Sequence, residues 1–253
     1  MNRFLYLNDE RFSTIHLPES VSLPGEPHLD VFSFDGMKAE PLVDLHTGRV
    51  TGHEFLSILP AGVCSETFFR HQSCTSLAEL FLLQLMLSEG LTEGQRFFNL
   101  PVRVLLISSL CELLSARSLA QVVIEIQDPE NLPGLSSLQK CRLRQNLEGF
   151  LQAGAVIFFD DVTQRLMPLL VRMSLPLSGL KISRQEFQSL CRASREELQL
   201  NIHSRTGFGT AFSSVAEGVE TPEQSQQAKL AGFTHGQGWL WPAKSWQFAG
   251  VNT

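Results

Sequence analysis

Charge is scarce in this chain. Twenty basic and 26 acidic residues leave only 18% of the 253 positions charged, against about 25% in an ordinary globular protein. That composition excludes extended disorder, which needs high net charge and few apolar residues. No run of basic residues occurs and the net charge is −6, which excludes a dedicated nucleic-acid binder with a basic stripe. Cysteine is sparse and scattered: Cys64, Cys74, Cys111, Cys141 and Cys191 form no Cys-x-x-Cys pair and are odd in number. They read as reduced thiols of a cytoplasmic protein, not as a disulfide framework or a zinc site. The seven histidines show no metal-ligand spacing. Long hydrophobic runs are absent as well. The longest, Leu77 to Leu87, is interrupted by Glu79 and Gln84 and is too short to cross a bilayer. The first dozen residues lack the apolar stretch of a signal peptide, so no membrane association is expected.

What is present is a core. Hydrophobic residues make up 43% of the chain, including 18 Phe against a single Tyr. A length of 253 residues fits an α/β barrel of about 250 residues in one domain. Residues 1–30, with Pro18, Pro24, Pro27 and Gly25, predict an irregular N-terminal extension, and 31–253 a single barrel domain. Val31–Phe34, Pro41–Leu45 and Val50–Leu56 read as strands, the last two joined by a turn with Gly48. Ser73–Ser88 reads as a mostly buried helix.

Then a rhythm sets in. Apolar runs at 96–100, 121–126, 155–161, 179–182, 214–220 and 236–240 alternate with helical stretches at 102–116, 138–152, 162–173, 184–200 and 222–230. Apolar strands separated by helices predict a parallel sheet covered on both faces. Counting the pair at 41–56 gives eight strands, hence a (β/α)8 TIM-like barrel, with an open doubly wound sheet as the alternative.

Each run carries a polar group at or near its end: Glu54, Asn99, Glu125, Asp160 and Asp161, Lys181, Glu217 and Glu220, and Gln237. Singly, such residues usually cap helices or face water. In a barrel the strand ends meet at one mouth, and massed carboxylates there need a counter-cation. Oxygen ligands without His or Cys suit Mg2+, Mn2+ or Ca2+ rather than zinc, and adjacent aspartates can reach two ions.

The order Glu-Phe-Leu at 54–56, Asn99, Val-Ile-Glu-Ile at 123–126, Asp-Asp at 160–161, Leu-Lys-Ile at 180–182, Ala-Glu-Gly-Val-Glu-Thr-Pro-Glu-Gln at 216–224 and Gln-Gly-Trp-Leu at 237–240 resembles the EAL domain, from about residue 38 to 248. EAL domains hydrolyse cyclic di-GMP to linear pGpG with Mg2+ or Mn2+. The resemblance implies Glu54, Asn99, Glu125, Asp160 and Asp161 as metal ligands and Lys181 and Glu217 as catalytic residues. It implies Gln237 and Glu220 as substrate-side residues.

The departures from the family pattern are concentrated. No arginine follows the Glu-Phe-Leu triplet, where residues 57–60 are Ser-Ile-Leu-Pro; the family uses one there to grip a substrate phosphate. Glu40 replaces a glutamine, Asp128 stands where the family has a glutamate, and Ser183 replaces an acid. The loop Asp160-Asp161-Val162-Thr163-Gln164-Arg165 lacks both glycines of the family's Asp-Asp-Phe-Gly-x-Gly. The expectation is a degenerate EAL domain with weak or absent cyclic di-GMP binding. Like small stand-alone EAL-like proteins, it would act on motility or biofilm formation through a protein partner such as the FlhD subunit of the flagellar activator FlhDC. The alternative is a working metal-dependent phosphodiesterase. Trp239, Trp241 and Trp246 fit either a binding hot spot or, for at least two of the three, packing at the barrel end.

Overall fold

In the computed structural model, which describes residues 2–7, 10–16, 34–192 and 212–250, the chain opens with two strands where an irregular lead-in was expected. β1 (Asn2–Leu7) and β2 (Glu10–His16) form an antiparallel hairpin. The prolines that argue against order lie between residues 17 and 33, outside the described residues, so they do not interrupt it. Of the strand expected at Val31–Phe34, residues 31–33 also lie outside. Phe34 is buried and not a strand residue; its ring packs edge-on against Phe68 at 5.6 Å.

β3 (Gly36–Asp44) and β4 (Val50–Ile58) form the first pair of the barrel. The turn between them contains Gly48 at φ +70°, a conformation that costs glycine least. After α1 (Ser65–His71) and α2 (Cys74–Leu87) come β5 (Gln95–Pro101), α3 (Val102–Leu105), α4 (Ser108–Ser115) and β6 (Val122–Gln127). α5 (Ser137–Gln152), β7 (Val156–Val162), α6 (Met167–Met173), β8 (Gly179–Ile182) and α7 (Arg184–Cys191) follow. The chain continues through β9 (Ser213–Glu217), α8 (Pro222–Leu230), β10 (His235–Gln237) and β11 (Lys244–Gly250).

Strands β3 to β10 pair in order, and β10 returns to β3, closing an eight-stranded barrel. The sheet is not wholly parallel as expected. β3 runs antiparallel to both neighbours, because a short turn rather than a helix links it to β4. Its other end, Gly36–Ala39, pairs with β11, which in turn pairs with β1.

Three helix boundaries differ from the sequence reading. The helix expected over 102–116 is two helices, because Ile107 is extended (φ −101°, ψ 100°). The one expected over 162–173 begins only at Met167, with Pro168 in its first turn. Beyond Arg192, the helix expected to reach residue 200 lies outside the described residues.

Alternation along the strands sorts the barrel into layers. Ile124, Ile126, Ile157, Phe159, Leu180 and Ile182 point outward into the main core beneath the helices. Leu42, Phe97, Val123, Phe158 and Val215 point inward and form a separate apolar plug. The two-residue period therefore puts the next inward residues one layer higher. These are Glu40 on antiparallel β3 and Asn99, Glu125, Asp160 and Glu217 on the parallel strands.

Candidate functional site

The polar layer above the plug is the floor of a mouth with a cavity of about 330 Å³. Glu54, Asn99, Asp160, Asp161, Glu217, Glu220 and Gln237 all line it, from five strands and their following loops. Glu125 and Lys181 lie just beneath, each 0% exposed.

Glu54 is the hub. Its Oε1 accepts a hydrogen bond from Asn99 Nδ2 at 2.7 Å. Its Oε2 accepts from Lys181 Nζ and from Gln237 Nε2, each at 2.7 Å. Lys181 Nζ is also 2.7 Å from Glu217, 3.2 Å from Glu125 and 3.4 Å from Asp160. One ammonium thus faces four carboxylates. Burial alone would drive the Lys181 pKa down, but Asp160, Glu125, Glu217 and Glu54 together carry it well above the usual lysine value. For Glu54, burial raises the pKa; the Lys181 charge and the hydrogen bonds from Lys181, Gln237 and Asn99 outweigh it and bring the group to about 2. The other acids go the opposite way. Burial, with help from neighbouring carboxylates, raises Asp160 to about 6 and lifts Glu125 and Glu217 well above the carboxylate range. The cluster therefore keeps itself together partly by holding protons.

A divalent cation fits this donor set. Ligand oxygens of Glu54, Glu125 and Asp160 all lie within 4.8 Å of one another. Glu125 Oε2, Asn99 Oδ1 and Gln237 Oε1 are buried and accept no hydrogen bond, while Glu125 Oε1 and Asp160 Oδ1 meet only the Lys181 ammonium, at 3.2 and 3.4 Å; unpaired buried acceptors are costly unless something else coordinates them. Asp161 is placed differently from Asp160. The β7–β8 register shifts between Phe159 and Val162, Asp161 takes φ +49°, and it is exposed at the mouth while Asp160 is 7% exposed. The bulge turns the second aspartate away from the buried group.

The profile of the family described as the EAL domain matches residues 36–244. The chain belongs to the EAL domain family. Solved structures agree at the level of fold. An EAL domain protein from Listeria monocytogenes EGD-e superimposes with a TM-score of 0.66 at 18% identity, covering 84% of this chain and 90% of that one. Klebsiella pneumoniae BlrP1, in a manganese and cyclic di-GMP complex, gives 0.64 at 22% identity, covering 90% of this chain but only 60% of its own. The PaMucR phosphodiesterase, in a cyclic di-GMP complex, gives 0.60 at 22%, covering 83% and 96%. No curated protein sequence matches.

This EAL barrel has mouth residues that sequence reasoning missed. Arg184 lines the cavity beside Gly218 and Trp239, pairs through Nη2 with Glu220 and lies 4.5 Å over the Trp239 ring. In the sequence Arg184 is only the first residue of a helical stretch; the return of the 217–220 and 238–240 loops makes it part of the mouth. Glu40, already singled out in the sequence as a departure from the family pattern, lines the cavity too; its Oε2 accepts from Gln237 Nε2 at 3.2 Å. Of the tryptophans, Trp246 is buried at 1% exposure, Trp241 packs over Gly236, and Trp239 stands 76% exposed on the rim. Among the described residues no helix is long and apolar enough to cross a membrane.

Proposed function

We propose that this EAL domain is a regulatory protein that has lost cyclic di-GMP turnover and controls motility or surface attachment by binding a protein partner in the cytoplasm. By resemblance, the FlhD subunit of FlhDC is the partner to test first. The observation that carries this reading is the charge of the mouth. Glu40, Glu54, Asp160, Asp161, Glu217 and Glu220 line it, and the one cation lining it among the described residues, Arg184, is tied to Glu220. Where the family's phosphate-gripping arginine would follow the triplet, the chain has Ser57 and Ile58, and Ser57 Oγ accepts from Gln84 Nε2 at 3.1 Å instead. A cyclic dinucleotide dianion meets repulsion there without a paired clamp. Losing that contact and the glycine-shaped loop each costs on the order of a few kcal/mol of transition-state binding, enough for several decades of rate.

The unpaired buried acceptors Glu125 Oε2, Asn99 Oδ1 and Gln237 Oε1 favour a second reading, a surviving metal-dependent phosphodiesterase. Glu54, Asn99, Glu125 and Asp160 would hold Mg2+ or Mn2+, which when bound polarises a phosphodiester and lowers the pKa of water. In that reading Lys181 holds Glu54 and Glu217 in place, and Gln237 ties Glu54 to Glu40 across the barrel seam. Incubating the purified protein with cyclic di-GMP and Mn2+ separates the two. No pGpG, together with co-purification of FlhD, is the expected result. Formation of pGpG that disappears in Glu54→Ala overturns the regulatory reading.

A further inference from the structure

Arg184 is held on three sides. Gly218 lies under its stem at φ +69°, and a Cβ there would come within 2.2 Å of Arg184 Cγ. The Trp239 ring lies beneath the guanidinium at 4.5 Å, and Glu220 binds its Nη2. The seat is itself braced. Gln188 Nε2 donates to Gly218 O at 2.7 Å, and Gln224 Nε2 donates to Gln188 Oε1 at 3.0 Å. Gln224 Oε1 in turn accepts from Glu220 N at 2.7 Å. A guanidinium carries five N–H donors in a planar fork matched to phosphate oxygens, and only Nη2 is engaged by a side chain here. An arginine whose role was only to pair with Glu220 would need neither a glycine under its stem nor an aromatic face exposed at 76%.

We propose that Arg184 is the anion anchor of this mouth, seated to take a phosphate group of a nucleotide ligand, and that Glu220 latches it shut over Trp239. The latch acts in two ways: it occupies the fork and it places a carboxylate where the phosphate would sit. The inference goes beyond the proposed function, since it concerns ligand entry and holds whether or not a bond is cleaved or a partner is bound.

The test is calorimetric titration of the full chain with cyclic di-GMP in Ca2+, comparing wild type, Glu220→Gln and the Arg184→Ala/Glu220→Gln double variant. Both positions are partly exposed, at 53% and 31% of their side chains, so the variants are expected to fold, which circular dichroism checks. Opening the latch is expected to tighten binding by about two- to fivefold, the scale of one partly exposed ion pair. The double variant is expected to return to the weak wild-type level or below. A Glu220→Gln protein no tighter than wild type, a gain that survives without Arg184, or no heat from any of the three overturns the latch. Turnover by the wild type, read separately as pGpG, bears on the proposed function and leaves this comparison intact.

Discussion

Lys181 sets the electrostatic balance of the mouth. A buried ammonium is tolerated only with partners, and Lys181 has four within 3.4 Å. Removing one side of a buried ion network costs about 3–5 kcal/mol because the remaining charges stay behind. Lys181→Met is therefore expected to lower the melting temperature by about 10 °C, on the scaling for a chain of this size. Because a divalent cation can take over the same neutralising role, millimolar Mn2+ is expected to restore more stability to the variant than to the wild type. Differential scanning fluorimetry with and without Mn2+ reads both; an unchanged melting temperature would mean the four acids are neutralised by protons alone. At this scale most of the site was legible, because hard oxygen ligands at successive strand ends leave a one-dimensional trace. The separation of Asp160 from Asp161 was not. A bulge is a property of two paired strands, and the Asp-Asp dipeptide looks the same with or without it.

Among the elements, β8 is a strand of only four residues and carries very close packing. Its Gly179 lies directly under the Phe158 ring, where a Cβ would come within 2.3 Å of Phe158 Cζ. Phe158 cannot easily yield, since it stands edge-on to Phe97 at 5.5 Å inside the apolar plug. Overpacking of this kind costs about 1–3 kcal/mol, so Gly179→Ala is expected to melt about 3–10 °C lower than wild type. Phe158 and Asp160 share one face of β7, so the variant is also expected to weaken Mn2+ binding. Normal stability would place the ring elsewhere. The same alternation explains which elements the sequence revealed. Continuous apolar runs marked β5 to β8 within one residue, while the run at 214–220 overshot β9 by three; α8 was expected at its observed bounds, where Thr221 and Gln224 form a capping box. The opening hairpin and β11 were missed because neither has a helix beside it, so no change of period announces them. The break at Ile107 was missed because residues on both sides are equally apolar.

For the molecule as a whole, the acidic layer is where the barrel is stitched shut. Glu54, Asn99, Glu125, Asp160, Lys181, Glu217 and Gln237 come from seven consecutive strands, β4 to β10, and Gln237 reaches across the closing seam to Glu40 on β3. A cation bound there would tie most of the sheet together and stabilise the entire fold by mass action, about 2.7 kcal/mol at a hundred times its dissociation constant. Protons compete for the same oxygens. Asp160 has a folded pKa of about 6, above its ordinary 3.8, so between those values the native state binds more protons than the unfolded chain. Its contribution to stability therefore grows as pH falls from 6 toward 4. Glu54, lowered from 4.5 to about 2, runs the other way and loses its contribution as pH falls through that lower range. A cation needs Asp160 ionised. The Mn2+-induced rise in melting temperature is thus expected to be several degrees near pH 7.5 and to shrink sharply by pH 5, while the metal-free protein gains stability from Asp160 over the same interval. A rise of equal size at both pH values would overturn the assignment, because an ion held by Asp160 must compete with the proton that this buried carboxyl retains up to about pH 6.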